Sequence, residues 1–216
     1  MRSIFALFYA AILATLPLNG KIITIDAGHG GWDPGKIGIH KEREADINLQ
    51  IANYLQMYLQ LGGAHAFLTR VEDQALADTK NADLRARSSL PTEQFAEIFV
   101  SIHQNAYSSE KAKGGQVFYY EGSEQGKLLA EAIQNQINTF LQPQSKIPTP
   151  NKQYFLLKNS AIPAIIIECG FLTHPDESYM LNSDKYQQKV AWAIYMGILD
   201  YFEGASPESA LLENAL

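Results

Sequence analysis

Three apolar runs in this chain each stop on a side chain able to do chemistry, and that repeated pattern limits the fold more than any other feature. Ile22-Ile-Thr-Ile25 leads into D-A-G-H-G-G, which carries Asp26 and His29. Ile98-Phe-Val-Ser-Ile102 leads into His103, and Ala164-Ile-Ile-Ile167 leads into Glu168 and then C-G-F. Short continuous apolar runs of this kind read as strands buried on both faces, as in parallel sheets covered by helices. A side chain at the C-terminal end of such a strand lies in the crevice where open α/β sheets place ligands. The glycines around His29 let the backbone turn tightly and leave room around the imidazole.

Helical periodicity separates these runs. Ile47, Ile51, Leu55 and Leu59 recur at turn spacing up to Leu61, and Gly62-Gly63 stops the helix. Glu44, three residues before Ile47, falls on the core-facing side of the first turn, where a helix N-terminus favours negative charge. Glu42 and Asp46 point elsewhere on the same wheel. Trp32 to His40, rich in Gly and Pro, reads as a loop. Further strands are expected over Ala64 to Arg70, Gln116 to Tyr120 and Tyr154 to Leu157. Helices are expected over Asp83 to Leu90, ended by Pro91, over Ser123 to Phe140 and over Asp184 to Phe202, with residues 142–150 as a loop. The alternation predicts an α/β fold: a single domain with a mostly parallel twisted sheet flanked by helices, its reactive groups gathered at the C-terminal strand ends.

A chain of 216 residues with 46% hydrophobic content builds one sizeable core rather than two. The formal charge of -6 and the lack of any basic run argue against nucleic acid as a partner. Cys169 is the only cysteine, which excludes an internal disulfide framework and a thiolate zinc knuckle, so any metal must be held by His and carboxylate. Arg2 followed by the apolar run Ile4 to Leu16 has the form of an export signal. The expected organisation is an N-terminal signal or membrane tether over residues 1–20, a catalytic domain over 21–204 and a tail over 205–216. The protein is then extracytoplasmic, meeting membrane only through the N-terminal segment.

His29, His103, Glu44 and Glu168 are the groups this architecture gathers. Two imidazoles and one carboxylate suit a catalytic zinc, which takes three protein ligands and leaves an open position. Periodicity does not decide whether Glu44 or Glu168 is the third ligand; one should ligate, and the other should take a proton from the attacking water. His40, His65 and His174 lack this context and read as non-ligands, with His174 the nearest to a supporting role. Cys169 reads as a small buried residue beside Glu168, and Arg87 as half of a surface ion pair.

The strings D-A-G-H-G-G at Asp26, E-A-D-I-N-L at Glu44, T-R at Thr69, S-I-H-Q-N-A at Ser101 and I-E-C-G-F at Ile167 closely resemble the zinc-dependent N-acetylmuramoyl-L-alanine amidases. The resemblance runs in order from Lys21 to Phe202. It implies that His29, Glu44 and His103 bind Zn2+ and that Glu168 is the catalytic carboxylate. The bond cut would join the lactyl group of muramic acid to L-alanine of the stem peptide, which makes peptidoglycan the macromolecular partner. L-P-L-N-G-K at Leu16, D-L-R-A-R near Asp83 and F-Y-Y at Phe118 are most similar to the germination-specific sporulation amidases, which act in spore cortex ahead of muramic δ-lactam formation.

Gln104 and Cys169 depart from the usual residues beside the site without removing a ligand. The short span from Asn105 to Gln116 leaves no room for an inserted regulatory helix, and no wall-binding repeat is recognisable, so targeting is expected from the N-terminal segment or from a partner, and an activator protein is a candidate partner. A zinc peptidase of the wall shares the metal logic and is one alternative; a non-catalytic wall-binding module is the other, and it would require a lost ligand or base.

Overall fold

The isoleucine-rich runs form the centre of one six-stranded sheet. In the computed structural model, which describes residues 16–141 and 146–204, the strands are β1 (Ile22–Ala27), β2 (His65–Leu68), β3 (Ile98–Asn105), β4 (Gln116–Tyr120), β5 (Thr149–Asn151) and β6 (Ala164–Phe171). Their order across the sheet is β2-β1-β3-β6-β4-β5. β2, β1, β3 and β6 run parallel, while β4 pairs antiparallel with β6 and parallel with β5. The helices are α1 (Glu44–Leu61), α2 (Lys80–Glu93), α3 (Glu124–Leu141), α4 (Phe155–Lys158), α5 (Pro175–Leu181) and α6 (Asp184–Gly204). This is the single α/β domain, with a mostly parallel sheet, that the alternation predicts.

Side chains alternate across a strand, so each central strand feeds two cores. Ile23, Ile25, Val100, Ile102, Ile165, Ile167 and Cys169 point into the larger one, where Ile51, Leu55, Ile133 and Ile194 of α1, α3 and α6 cover them. Phe99, Ala164 and Ile166 point the other way, onto Leu156 and Leu157 of α4. Each fully buried aliphatic side chain contributes ~1.5–3 kcal/mol, so the larger face carries most of the stabilisation and the other is free to hold a site. Leu18 is fully buried in the larger core and donates its N–H to Gly62 O at 2.9 Å, so the folded unit takes in residues just before Lys21. The rest of the expected N-terminal signal or tether, residues 1–15 of 1–20, and the expected tail, 205–216, lie outside the described residues.

Several boundaries differ from the sequence expectation. β3 and β6 do not stop at the last apolar residue: His103 and Glu168 are inside their strands, and a register irregularity follows between His103 and Asn105. α2 begins at Lys80 and continues through Pro91 to Glu93. Tyr154 to Leu157 is not a strand: Phe155–Lys158 is a single helical turn, and the strand lies earlier, at Thr149–Asn151, overlapping the end of the stretch expected as loop. Pro150 is tolerated because β5 is an edge strand, where a missing donor breaks no ladder. α5 is an additional helix, with Pro175 at its start and the His174 side chain as its N-cap.

Candidate metal centre

The sheet register sets the first pair of the site. His103 and Glu168 are partners on the adjacent strands β3 and β6, and Asp26 of β1 is the partner of Ser101, two residues before His103. Asp26, Ser101, His103 and Glu168 therefore line one face of the sheet, and Cys169 lies on the other. Buried and pushed to a high pKa, the Cys169 thiol is inert, as its sequence context suggested.

His29 reaches the same place by an unusual backbone. It has a φ of 63°, in the left-handed region, and a clamp holds it there. Arg87 donates to Ala27 O at 2.8 Å and to His29 O at 2.7 Å; Arg70 donates to Ala27 O at 2.8 Å and Gly28 O at 3.1 Å, and Asn48 also donates to Gly28 O at 3.1 Å. The His29 ring is oriented in turn by Asp33, whose Oδ2 is 2.9 Å from Nδ1, which directs Nε2 inward. Asp33 also accepts the Gly35 N–H at 3.1 Å, so its own position is fixed.

Glu44, the first residue of α1 and 2% exposed, completes the group. Its Oε1 lies 3.2 Å from His29 Nε2 and 3.0 Å from His103 Nδ1, while Oε2 accepts the Lys36 N–H at 2.9 Å. Burial alone would raise this carboxyl, but hydrogen bonds and charge from His103 and His29 outweigh it and hold it well below the usual range. Against burial, Glu44 likewise raises the His103 imidazole. The two rings meet edge to face, with centroids 4.9 Å apart. Two glycines make the approach feasible: a Cβ on Gly28 would lie 2.2 Å from His103 Cε1, and one on Gly35 2.6 Å from Glu44 Oε2.

One ligand atom from each of His29, Glu44 and His103 lies within 4.8 Å of the others, a group that could hold a metal ion. Ligands about 2.0–2.2 Å from a tetrahedral zinc are roughly 3.3–3.6 Å apart, slightly more than the 3.2 Å and 3.0 Å from Glu44 Oε1 to His29 Nε2 and His103 Nδ1. The donor set, two imidazoles and an ionised carboxylate, also fits that ion. Glu168 sits beside it with its Oε2 buried and without a hydrogen-bond partner among the described residues. Burial is the largest influence on its carboxyl and raises it; Glu44 adds to the rise, and the His103 and His29 charges offset part of it. A buried carboxylate of raised pKa beside a metal-ligand cluster is suited to proton transfer.

Three groups that the sequence reading underweighted shape the site. Arg87 is not on the surface: it is 2% exposed and binds Asp26 Oδ1 at 2.7 Å and Asp83 Oδ2 at 2.7 Å. Arg70, the arginine of the T-R string, is buried with its guanidinium spent on backbone carbonyls. Asp33 orients His29, and its D-P context in a glycine-rich loop gave no sign of that role. His40 and His65 are exposed, and His174 caps α5 by accepting the Glu177 N–H at 3.4 Å.

A mostly parallel α/β sheet whose strand ends bring a His-Glu-His cluster, able to hold a metal ion, against a buried carboxyl suits a hydrolase. Comparison with known proteins narrows the class: residues 23–200 match the N-acetylmuramoyl-L-alanine amidase family, and the chain belongs to it. It is 40% identical over 204 residues to the germination-specific N-acetylmuramoyl-L-alanine amidase of Bacillus subtilis, covering 90% of this chain and 86% of that one. Among solved structures, the CwlD amidase of Clostridioides difficile, in complex with the GerS lipoprotein, superposes with a TM-score of 0.81 at 36% identity, covering 85% of this chain and 99% of that one. A second N-acetylmuramoyl-L-alanine amidase, from Clostridium difficile 630, superposes with a TM-score of 0.79 at 32% identity over 87% of this chain and all of that one.

Proposed function

We propose that this chain is a zinc-dependent amidase of spore peptidoglycan, in which His29, Glu44 and His103 hold the metal and Glu168 moves the proton. The observation that carries the reading is the convergence of four residues, distant in sequence, on one end of the sheet, with Glu168 fixed beside His103 by strand register. The name of the Bacillus subtilis relative supports a role in germination, and the lipoprotein seated on the Clostridioides difficile relative supports an exported activator as a partner. Both fit an extracytoplasmic enzyme of the spore cortex.

When bound, zinc would supply Lewis acidity and lower the pKa of water towards neutrality. The residues of the chain do the rest. Asp33 holds the His29 ring, and the Lys36 and Gln104 N–H groups, at 2.9 Å and 3.1 Å, hold the Glu44 carboxylate. Glu168 takes a proton from the attacking water as the C–O bond forms at the lactyl carbonyl carbon. It then gives that proton to the L-alanine nitrogen as the C–N bond breaks, releasing a stem peptide with a free amine.

Purified protein incubated with cortex muropeptides is expected to release intact stem peptide, identified by mass. Activity should fall to background after chelation and return with added zinc. Turnover indifferent to both treatments, or products cut between two amino acids, would remove the reading in favour of a different hydrolase. A second test addresses the cluster. Gly28→Ala places a methyl group inside the volume of the His103 ring, so His103 must move. Zinc affinity, measured by competition with a chromophoric chelator, is expected to fall about 10–100-fold, the range seen when a ligand loses its support; unchanged affinity would count against His103 as a ligand.

A further inference from the structure

The amidase reading uses His29, Glu44, His103 and Glu168 and leaves unexplained the two hollows that flank them. One, of about 300 Å3, runs from His103 and Glu168 under Leu84, Phe155 and Leu156. The other, of about 460 Å3, opens past Lys36, Asn105 and Ala106. Six residues border both: His29, Asp33, Lys80, His103, Tyr154 and Glu168. A substrate lying across the reactive centre from one hollow to the other must therefore pass Lys80.

Lys80 differs from the other cations at the site. Arg87 is buried and committed to Asp26, Asp83 and two carbonyls. Lys36 borders only the wider cleft. Lys80, the first residue of α2, is exposed, and among the described residues it makes no ion pair within 4.0 Å. Asp33 borders both hollows with it. Asp33 is already held by His29 and Gly35, so the ammonium keeps donors to spare.

The remaining charge at the centre is acidic: Asp26, Asp33, Asp83, Glu44 and Glu168 all border one or both hollows, on a chain of net charge -6. Arg87 is paired with Asp26 and Asp83, and a bound metal would offset Glu44, so the cation that borders both hollows without an ion pair among the described residues is Lys80. The stem peptide is anionic. Its second residue, D-glutamate, continues the chain through the side-chain carboxyl, which leaves its main-chain carboxylate free. That group lies one residue from the bond to be cut, a span of ~3.3–3.6 Å per residue plus the reach of a lysine stem.

Building on the amidase reading, we propose that Lys80 binds the free carboxylate of the second stem-peptide residue, so that the enzyme selects stems carrying that carboxylate over stems in which it is amidated. The pair is partly open to solvent, so its effect is modest and salt-sensitive rather than that of a buried pair.

The test uses the zinc-loaded full chain and two synthetic muropeptides that differ only in carboxylate against carboxamide on the second residue. Wild type is expected to favour the carboxylate about tenfold in kcat/KM, a preference that shrinks with added salt. Lys80→Met should raise KM for the carboxylate substrate with little change in kcat, bringing the two substrates level. Lys80→Arg should keep the preference, and Lys80→Glu should reverse it. Lys80 is exposed on a helix start, so none of these variants is expected to disturb folding. A wild type that cuts both substrates equally overturns the proposal, as does a Lys80→Met enzyme that keeps the preference or a Lys36→Met enzyme that loses it. Failure of wild type to cut either substrate overturns the amidase reading itself, and this proposal with it.

Discussion

Replacing Glu168 by glutamine is expected to lower kcat by about 10²–10⁴-fold, the range a positioned general base supplies, while zinc remains bound at full stoichiometry. The amide has nearly the shape of the carboxyl and cannot accept the proton from water. Zinc should stay because the His29, Glu44 and His103 ligand atoms form a cluster that does not include Glu168. Thermal stability is expected to be unchanged or raised. The wild-type carboxyl is buried with an oxygen that no described group satisfies, and its raised pKa reports the cost of ionising it there. Measuring kcat, metal content and Tm on one preparation separates the roles. Loss of zinc along with activity would make Glu168 a ligand, and retention of more than about a tenth of kcat would end its assignment as the base. Glu44→Gln should behave in the opposite way, losing metal first.

The positions of the reactive residues are legible in the sequence because each follows a run of aliphatic side chains that can only be a buried strand. His29, His103 and Glu168 are found this way, and Glu44 by its place three residues ahead of a periodic helix. What periodicity leaves open is which glutamate faces the imidazoles. That depends on the pairing of β3 with β6 and on the approach of α1, both of them relations between distant segments. Strand ends are less legible for a related reason. β3 and β6 continue through His103 and Glu168 because their ladder partners continue, although hydropathy has already changed. Arg87 sits in a stretch of charge, D-L-R-A-R, that looks like a solvated face; only the buried Asp26 on another element reverses that reading. Short irregular segments carry the least signal. The single turn Phe155–Lys158 has the composition of a strand, and the edge strand Thr149–Asn151 is disguised by Pro150.

Arg87→Ala is expected to be the most destabilising single change outside the aliphatic core, and the damage should reach the metal. Asp26 is fully buried, and its carboxyl lies below the usual value: burial pushes it up, but Arg87, the Ser101 and Thr69 hydroxyls and His103 together outweigh that. Removing the guanidinium leaves Asp26 with hydroxyl donors alone, at 2.6 Å and 2.7 Å, and strips donors from Ala27 O and His29 O. Breaking a buried pair on one side costs about 3–5 kcal/mol, and in a domain of this size each kcal/mol moves Tm by roughly 2–4 °C, so a fall on the order of 10 °C is expected. His29 depends on the same arginine to hold its left-handed backbone, so zinc affinity should drop in the folded fraction as well. Pairing Arg87→Met with Asp26→Leu removes both charges, and the double variant should lose less stability than the sum of the single changes. It should still bind zinc poorly, because Ala27 O and His29 O remain without the Arg87 donors. Additive losses, or a single Arg87→Ala variant within about 1 kcal/mol of wild type, would show that the Arg87–Asp26 pair is not what fixes the turn at His29.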